Sequence, residues 1–389
     1  MRIEQIMSKN RRMELIERIQ ERRKSHVITY VVGDRPNAEG RISSDAVEEM
    51  YRLLSELKPY GGRPLDLFLF AHRGDTTVPW QMVGMIRELF DLFNVIIPHK
   101  AHGAATMIAL GADTIIMGER GELSPIEVLI PRGLLPRERE SEDRGASVED
   151  AKALMSLMEK FGRAREKQRI DAFLRTMDSV DPLLLGSMQR QAEQTKMDCQ
   201  RLLERRRRRF SKGRNKNIIR RLFSDFVSRH RTITRSEALK SIGLKQVRSE
   251  EALEPVFMEL LSLYEEELLP REPFDPECAV ENSDQEERIF SGRKLAYMES
   301  TKRTRVFLED LKVQKLRTFP QNIRLDPRII LPSLQCEGEM EEDDLWSFIE
   351  GWLQGHLPAL IDEALVRFQR SLPVSEYQRT SMNRRWVDE

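Results

Sequence analysis

The sequence predicts an α/β fold with an added helical lobe and a C-terminal α+β region, on three observations. Apolar runs that read as strands lie at 27–32, 65–71, 95–97 and 114–117. Amphipathic helical patterns separate these runs, and two of the runs lead directly into turns of small residues. Unbroken apolar runs that alternate with helices are typical of a parallel sheet that is covered on both faces.

Residues 1–25 are predicted to form a charged N-terminal helix. Its narrow apolar stripe consists of Ile3, Ile6, Met13, Ile16 and Ile19. A stripe of this width packs either against the body of its own domain or against another subunit. We assign this helix as an oligomer contact.

Residues 26–200 are assigned to the α/β core. Ser44 or Asp45 is expected to cap its first helix. A charged segment with Gly and Pro at 132–147 is expected to be a loop beside the small-residue turns, and 148–208 reads as helical.

Residues 201–280 are assigned to a basic helix followed by a helical lobe, and 281–389 to the C-terminal α+β region. Within that last region, short strand candidates lie at 295–298 and 305–308. A helix from 345 to about 370 follows an acidic loop, judged by its apolar spacing.

The segment 201–221 is rich in Arg and Lys, with consecutive arginines at 205–209. A block of like charge can bind nucleic acid or an acidic partner. Only Phe210 and Phe223 interleave with the cations, and no nucleic-acid recognition motif is apparent. We therefore favour a solvated or inter-subunit helix face over nucleic-acid binding, with the acidic segment 337–344 as a counterpart.

Composition narrows the functional classes. Lys+Arg and Asp+Glu both number 64, so global charge nominates no partner. The three cysteines (Cys199, Cys278, Cys336) are far apart, which argues against a disulfide scaffold or a zinc module. The charged N-terminus has no apolar signal core, and no window has the length of a membrane span. We expect a cytoplasmic protein without membrane contact, cofactor or metal.

The two small-residue turns are the most informative feature. One follows the strand at 65–71 and the other lies at 101–105, where a helix begins. Two neighbouring turns of this kind can direct backbone N–H groups at one point, and such a pair stabilises an oxyanion.

These segments resemble the serine dehydrogenase proteinase family, within the wider Clp-protease/crotonase superfamily. The family type has a Thr-Arg-Gly-Gly-Asp-Thr turn where residues 71–76 read Ala-His-Arg-Gly-Asp-Thr, and Pro79-Trp80 follows as in the family. Its nucleophile segment, Ala-His-Ser-Ala-Gly-Thr-Leu-Ile, matches Ala-His-Gly-Ala-Ala-Thr-Met-Ile at 101–108. Shorter matches at 110–113, 121–126 and beyond extend the resemblance over most of the chain.

The resemblance implies a spiral of ββα units that forms a homo-oligomer. It places the serine nucleophile at Gly103 and the oxyanion-hole N–H groups at Gly74 and Ala104. Gly103 has no atom that can attack a carbonyl. Arg73 replaces the first glycine of the turn, so the backbone there has to avoid positive φ, and its cation is expected at the mouth of the cleft.

Several other residues are candidates for the nucleophile, for a metal site or for the general base. Thr106 and Ser124 are alternative hydroxyl nucleophiles, but both match family residues and are expected to have packing and turn roles. His72, His99 and His102 with Asp75 could form a metal site, although hydrogen-bonded loop histidines are favoured. Lysines 152, 160, 167 and 196 are weak candidates for the general base.

Three hypotheses follow. We favour a pseudoenzyme that keeps an oligomeric peptide- or partner-binding scaffold but has lost hydrolysis. The alternative is an active, ATP-independent serine-type peptidase with an unrecognised nucleophile. The third is crotonase-type enolate stabilisation, which requires a carboxylate acid/base such as Asp75 or Glu127.

Overall fold

The computed structural model of the chain describes residues 3–57, 62–126, 182–224, 231–283, 285–318 and 342–389. Three predicted features lie wholly or partly outside the described residues. They are the loop at 132–147, the helical segment at 148–208 as far as residue 181, and the acidic residues 337–341.

The helices are α1 Ile3–Arg23, α2 Asp45–Leu57, α3 Val78–Leu89, α4 Ala104–Leu110, α5 Pro182–Glu204, α6 Lys212–Ser224, α7 Glu254–Leu268, α8 Pro276–Glu281 and α9 Glu342–Ser371. The strands are β1 His26–Val32, β2 Asp34–Arg35, β3 Ala38–Glu39, β4 Leu65–Phe70, β5 Phe93–Ile97, β6 Lys100–Ala101, β7 Thr114–Met117, β8 Glu122–Leu123, β9 Ile233–Thr234, β10 Val247–Arg248, β11 Glu287–Glu299, β12 Thr304–Leu316 and β13 Glu376–Asp388. Short helical turns connect β9 to β10 and β10 to α7.

The predicted parallel sheet is confirmed. Its strands run in the order β10-β7-β5-β4-β1, and every neighbouring pair is parallel. β11 joins the other edge of β1 antiparallel, so the complete sheet is mixed. The α/β class is therefore confirmed, with an antiparallel extension that the sequence did not predict.

Helices cover both faces of the sheet. Alternate strand residues such as Ile28, Leu67 and Val95 pack with α2 to α6 in one apolar cluster. The intervening residues, among them Val27, Phe68 and Ile96, pack with α1 and α7 in a second cluster. This division explains why the strands read as continuous apolar runs, because both faces of the sheet are buried.

The chain divides into two compact units. The first consists of residues 1–274, 294–308 and 385–389, and the second of 275–293 and 309–384. The parallel strands and both small-residue turns belong to the first unit.

The N-terminal helix is packed on the body of the first unit. Ile16 and Ile19 are fully buried. Arg12 lies between the rings of Tyr264 and Tyr297, at 5.3 and 5.0 Å from their centroids, and its Nε donates to Glu299 at 2.9 Å. Contact of this helix with another subunit remains a prediction.

The C-terminal strands differ most from expectation. β11 and β12 are each 13 residues long and extend well beyond the short candidates at 295–298 and 305–308. β13 was not predicted, because its residues are mostly exposed and polar and show no apolar alternation. No helix within the described ranges has both the length and the apolarity that a membrane span requires.

Candidate functional site

The two small-residue turns lie side by side at the ends of β4 and β6. An isolated parallel bridge joins Ala71 to Ala101, in which Ala71 N–H donates to the carbonyl of Lys100 and His102 N–H donates to the carbonyl of Ala71, both at 2.9 Å. A register that pairs 71 with 101 brings the following residues of the two turns together. The structure thus joins the two motifs that the sequence singled out.

Gly74 is fixed between two neighbours. Ile42 donates to the carbonyl of Arg73 at 3.0 Å and accepts from Asp75 N–H at 2.8 Å. A Cβ on Gly74 would lie 2.7 Å from the Cβ of Ala104 and 2.7 Å from that of Ile42, so the two turns approach so closely that only glycine fits.

The predicted oxyanion donors are the backbone N–H groups of Gly74 and Ala104. The bridge to Ile42 uses the carbonyl of Arg73 and the N–H of Asp75. The N–H of Gly74 therefore faces away from Ile42. Ala104 is the first residue of α4, where the N–H has no partner within its helix. Neither group has an acceptor among the residues that the structure describes, so both are placed to donate to a ligand oxygen. We name this pair of N–H groups, together with Gly103 of the second turn, the cradle.

Gly103 has a positive-φ backbone at the entry to a helix, a conformation that would be strained for any other residue. Its φ is 55° and its ψ is −112°, and it immediately precedes α4. A Cβ there would have no heavy atom within 4 Å, so the direction of a side chain at this position is open. A sharp strand–turn–helix junction with a strained, outward-facing residue is the geometry in which hydrolases present a nucleophilic serine. Gly103 has this backbone geometry and carries no side chain.

The alternative hydroxyl groups are engaged within the protein. Thr106 is fully buried, and its Oγ1 donates to the carbonyl of Ala101 at 2.7 Å and accepts from Ser124 N–H at 3.2 Å. Ser124 Oγ accepts from Gly103 N–H and donates to the carbonyl of Pro125, both at 2.8 Å. Neither hydroxyl is therefore available to attack a ligand in the cradle.

Arg73 meets the condition that the sequence set for it. Its side chain is exposed. Among the described residues other than glycine, positive φ occurs only at Lys24, Asn37, Leu269 and Asn383. Arg73 therefore has no left-handed backbone strain.

A pair of imidazoles lies one residue back from the Arg73 and Gly103 positions. The Nδ1 atoms of His72 and His102 are 3.0 Å apart, so one ring donates and the other accepts. Glu122 Oε1 lies 3.1 Å from Nε2 of the buried His102, though not in hydrogen-bonding direction. The contact between His72 and His102 links the two turns through their side chains, in addition to the backbone bridge.

Burial dominates the electrostatics of these histidines. Burial, together with the neighbouring His72 and Lys100, lowers the pKa of His102 to about 3. It also lowers the pKa of His99 to about 4, with Arg120 and Lys100 adding to the effect. Burial raises the pKa of Glu122. Both imidazoles are consequently neutral near pH 7.

The structure does not form the metal site that was considered for His72, His99, His102 and Asp75. Asp75 Oδ1 accepts from the N–H and the hydroxyl of Thr77, both at 2.8 Å. In the described part of the chain, no three His, Cys, Asp or Glu side chains are grouped to hold a metal ion.

The general base is also not located. Lys196 pairs with Glu193 at 3.1 Å and lies 5.9 Å from the ring centroid of Phe223. Lysines 152, 160 and 167 and Glu127 fall outside the described residues.

Comparison with known proteins gives structural neighbours. No protein-family model and no curated protein sequence matches the chain. Among solved structures, the chain is similar to a Ser-to-Ala variant of the 1510-N membrane-bound stomatin-specific protease, with 14% identity and a TM-score of 0.33 over 54% of this chain and 75% of that chain. A Lys-to-Ala variant of the same protease in complex with a substrate peptide has the same identity and TM-score and is covered over 71% of its length. An Asn-to-Asp variant of ClpP1 from Listeria monocytogenes has 16% identity and a TM-score of 0.23 over 37% of this chain and 72% of that chain.

Proposed function

We propose that the protein is a Clp-type serine-peptidase-like protein that binds peptides or a protein partner in the cradle without hydrolysing them. The observation that carries this proposal is Gly103. The backbone at this residue has the conformation of a presented nucleophile, and the residue has no side chain.

Binding requires only what the cradle retains. The N–H groups of Gly74 and Ala104 can donate to one carbonyl oxygen of an extended peptide, as donors to a developing oxyanion would. Hydrolysis needs in addition an attacking atom and a base. Thr106 and Ser124 are engaged elsewhere, so the described residues offer no hydroxyl at this point.

Arg73 is proposed to act at the entrance to the cradle. Its exposed cation adjoins Gly74 in the chain, so it favours ligands with a carboxylate or an acidic side chain. The Arg73→Ala variant should weaken peptide binding without changing the assembly state. Equal affinity of wild type and variant would remove Arg73 from the binding site.

The assembly state and compartment belong to the same proposal. We propose a cytoplasmic homo-oligomer, as the family resemblance implies. Sedimentation velocity of the purified chain tests the oligomer directly, and a monomer at micromolar concentration would contradict it.

Cleavage of a fluorescently labelled unfolded protein tests the loss of hydrolysis. Wild type is expected to be inactive, and Gly103→Ser combined with Arg73→Gly is expected to gain cleavage. Gly103→Ala is the matched control, because it introduces the same Cβ at the same positive φ without a hydroxyl. Cleavage by wild type would favour the alternative of an active serine-type peptidase with an unrecognised nucleophile.

Binding is tested separately from cleavage. Gly74→Ala places a Cβ 2.7 Å from Ala104 and is expected to force the turns apart and to abolish binding of the labelled unfolded protein. Gly186→Ala is the control, since a Cβ on that helical glycine meets nothing within 4 Å. If Gly74→Ala binds as wild type does, the ligand does not use the cradle.

A further inference from the structure

The basic run at 201–221 is anchored to the core by one of its own arginines. Arg206 is 3% exposed, and its Nε donates to the carbonyl of Ala112 at 3.1 Å. Its guanidinium lies 4.1 Å from the centroid of the Phe210 ring. A buried arginine of this kind fixes the position of the chain on either side of it.

The residues flanking Arg206 are also held. Arg205 stacks on Trp80 with its guanidinium carbon 4.4 Å from the ring centroid. The backbone N–H of Arg207 donates to Asp113 Oδ1 at 2.7 Å. The turn between α5 and α6 is therefore a fixed backbone and not the continuous helix that the sequence indicated.

This fixed turn and the helix after it present a cationic surface. We call the exposed cations of this surface the basic ridge. They are Arg205, Arg207, Arg208, Arg209, Lys212, Lys216 and Arg220. Lys212, Lys216 and Arg220 follow one another at four-residue spacing on α6, so they lie along one helix face.

Most cations of the ridge are not paired with acidic side chains in the described part of the chain. The side chains of Arg207, Arg208, Arg209, Lys212 and Lys216 have no carboxylate partner among the residues that the structure describes. The chain as a whole has zero formal net charge, so this concentration of cations is local. A local excess of cations on a fixed scaffold attracts polyanions and loses little entropy when it binds them.

We infer that the basic ridge binds the phosphate backbone of a nucleic acid. The other exposed residues of the ridge segment are small or polar, namely Ser211, Gly213 and Asn217, so it has no apolar side chain to insert into a lipid surface. Repeated cations without apolar neighbours suit a regular array of phosphates.

The geometry also defines the type of recognition. Phe210 is covered by Arg206 and by Arg214, whose guanidinium carbon lies 5.2 Å from the ring centroid, and Trp80 is covered by Arg205. Guanidinium groups already occupy positions over these rings, so we expect binding to depend on phosphate contacts and to be independent of base sequence. The sparse aromatic residues that argued against nucleic acid in the sequence do not argue against contact with phosphates alone.

Fluorescence anisotropy with labelled 25-nucleotide single- and double-stranded DNA and RNA tests this inference in the full-length protein. We expect a Kd of about 1–100 μM at physiological salt, independent of base sequence, with log K falling linearly as log salt rises. Reversing two charges with Arg208→Glu/Arg209→Glu should weaken binding at least tenfold. It should also reduce the salt slope by about two, one for each lost phosphate contact.

The matched control is Arg18→Glu/Arg22→Glu, which reverses two exposed arginines at four-residue spacing on α1. It is expected to retain wild-type affinity and slope. If the Glu variants do not fold by circular dichroism, Arg208→Gln/Arg209→Gln gives the same comparison with a smaller effect. Absence of binding, equal loss in the α1 control, or binding only to vesicles containing phosphatidylserine or to poly-glutamate would overturn the inference.

Discussion

The hydroxyl of Ser124 accepts the backbone N–H of Gly103 at 2.8 Å and donates its own proton to the carbonyl of Pro125. Ser124, which lies 21 positions further along the chain, thereby fixes the backbone N–H of Gly103, the residue whose side-chain position is open. The carbonyl of Ser124 also lies 3.3 Å from Thr106 Oγ1, so the same loop holds α4 from a second point.

Ser124→Ala is expected to leave the N–H of Gly103 without an acceptor. Loss of one such hydrogen bond costs about 1–2 kcal/mol in the free energy of unfolding, measurable by urea denaturation. Peptide binding in the cradle should weaken as well. Ser55→Ala, which removes an exposed hydroxyl on α2, should change stability by less than about 0.5 kcal/mol. Equal effects of the two substitutions would show that Ser124 does not hold Gly103.

The buried pair of Arg12 and Glu299 is expected to dominate the docking of α1. Both side chains are 0% exposed. Removing Glu299 leaves Arg12 with Glu389, 3.0 Å away and less buried, as its remaining described carboxylate partner, so the loss should lie near the lower end of the about 3–5 kcal/mol typical of a broken buried pair. Glu299→Gln should therefore lower the free energy of unfolding by about that amount.

Glu14→Gln is the control for that pair on the same helix. Its partner is Arg11, and the two side chains are 64% and 46% exposed. Exposed pairs contribute about 0–1 kcal/mol. A comparable loss in both variants would mean that burial of the Arg12–Glu299 pair has no special weight.

The neutral imidazole of His102 predicts an acid-sensitive fold. Its pKa of about 3 lies below the ordinary value of 6.5, so the unfolded chain takes up a proton there that the folded chain refuses. Stability should accordingly fall as pH drops from about 6.5 towards the folded-state pKa, by about 1.4 kcal/mol per pH unit for one such group. His99, whose pKa is about 4, adds to the fall over the upper part of the same window.

His102→Gln should flatten this pH dependence between pH 6 and 4.5 by about one proton, as measured by urea denaturation at several pH values. The slope is the readout, because the substitution also changes the stability at neutral pH. An unaltered slope in the His102 variant would contradict the assignment.

Two neighbouring arginines of the basic run should behave in opposite ways. Arg206→Ala removes a buried guanidinium, whose pKa is lowered to about 10 mainly by burial, together with its contact to Phe210. We expect a loss of about 2–3 kcal/mol in the free energy of unfolding. Arg208→Ala, two residues on and exposed, should change it by less than about 0.5 kcal/mol. Equal effects would mean that Arg206 is not the anchor of the turn.

The parallel strands could be predicted from the sequence because buried strands consist almost entirely of apolar residues. The runs at 27–32 and 65–71 correspond to His26–Val32 and Leu65–Phe70. A strand with both faces covered must be apolar at nearly every position, and so it is recognisable without a partner. β13 lacks that constraint, since most of its side chains are exposed.

The site was only partly predictable for a related reason. The motifs nominate Gly74, Gly103 and Ala104 as candidate residues, but they do not indicate that His72 and His102 would meet through their Nδ1 atoms. That contact joins residues 30 positions apart and depends on the register that pairs Ala71 with Ala101. Burial of Arg206 was equally hidden, because a run of arginines gives no sign of which one turns inward.

The positive φ of Gly103 places the chain on one side of a trade-off between stability and catalysis. A serine with φ near 55° would carry backbone strain of about 1–3 kcal/mol, which glycine does not. Natural proteins have small margins of stability, and the strain of a reactive residue consumes part of that margin. Under the proposed function, glycine at this position avoids that strain and also lacks the hydroxyl that would attack a carbonyl. A serine introduced at residue 103 to provide that hydroxyl would therefore lower the stability of the fold.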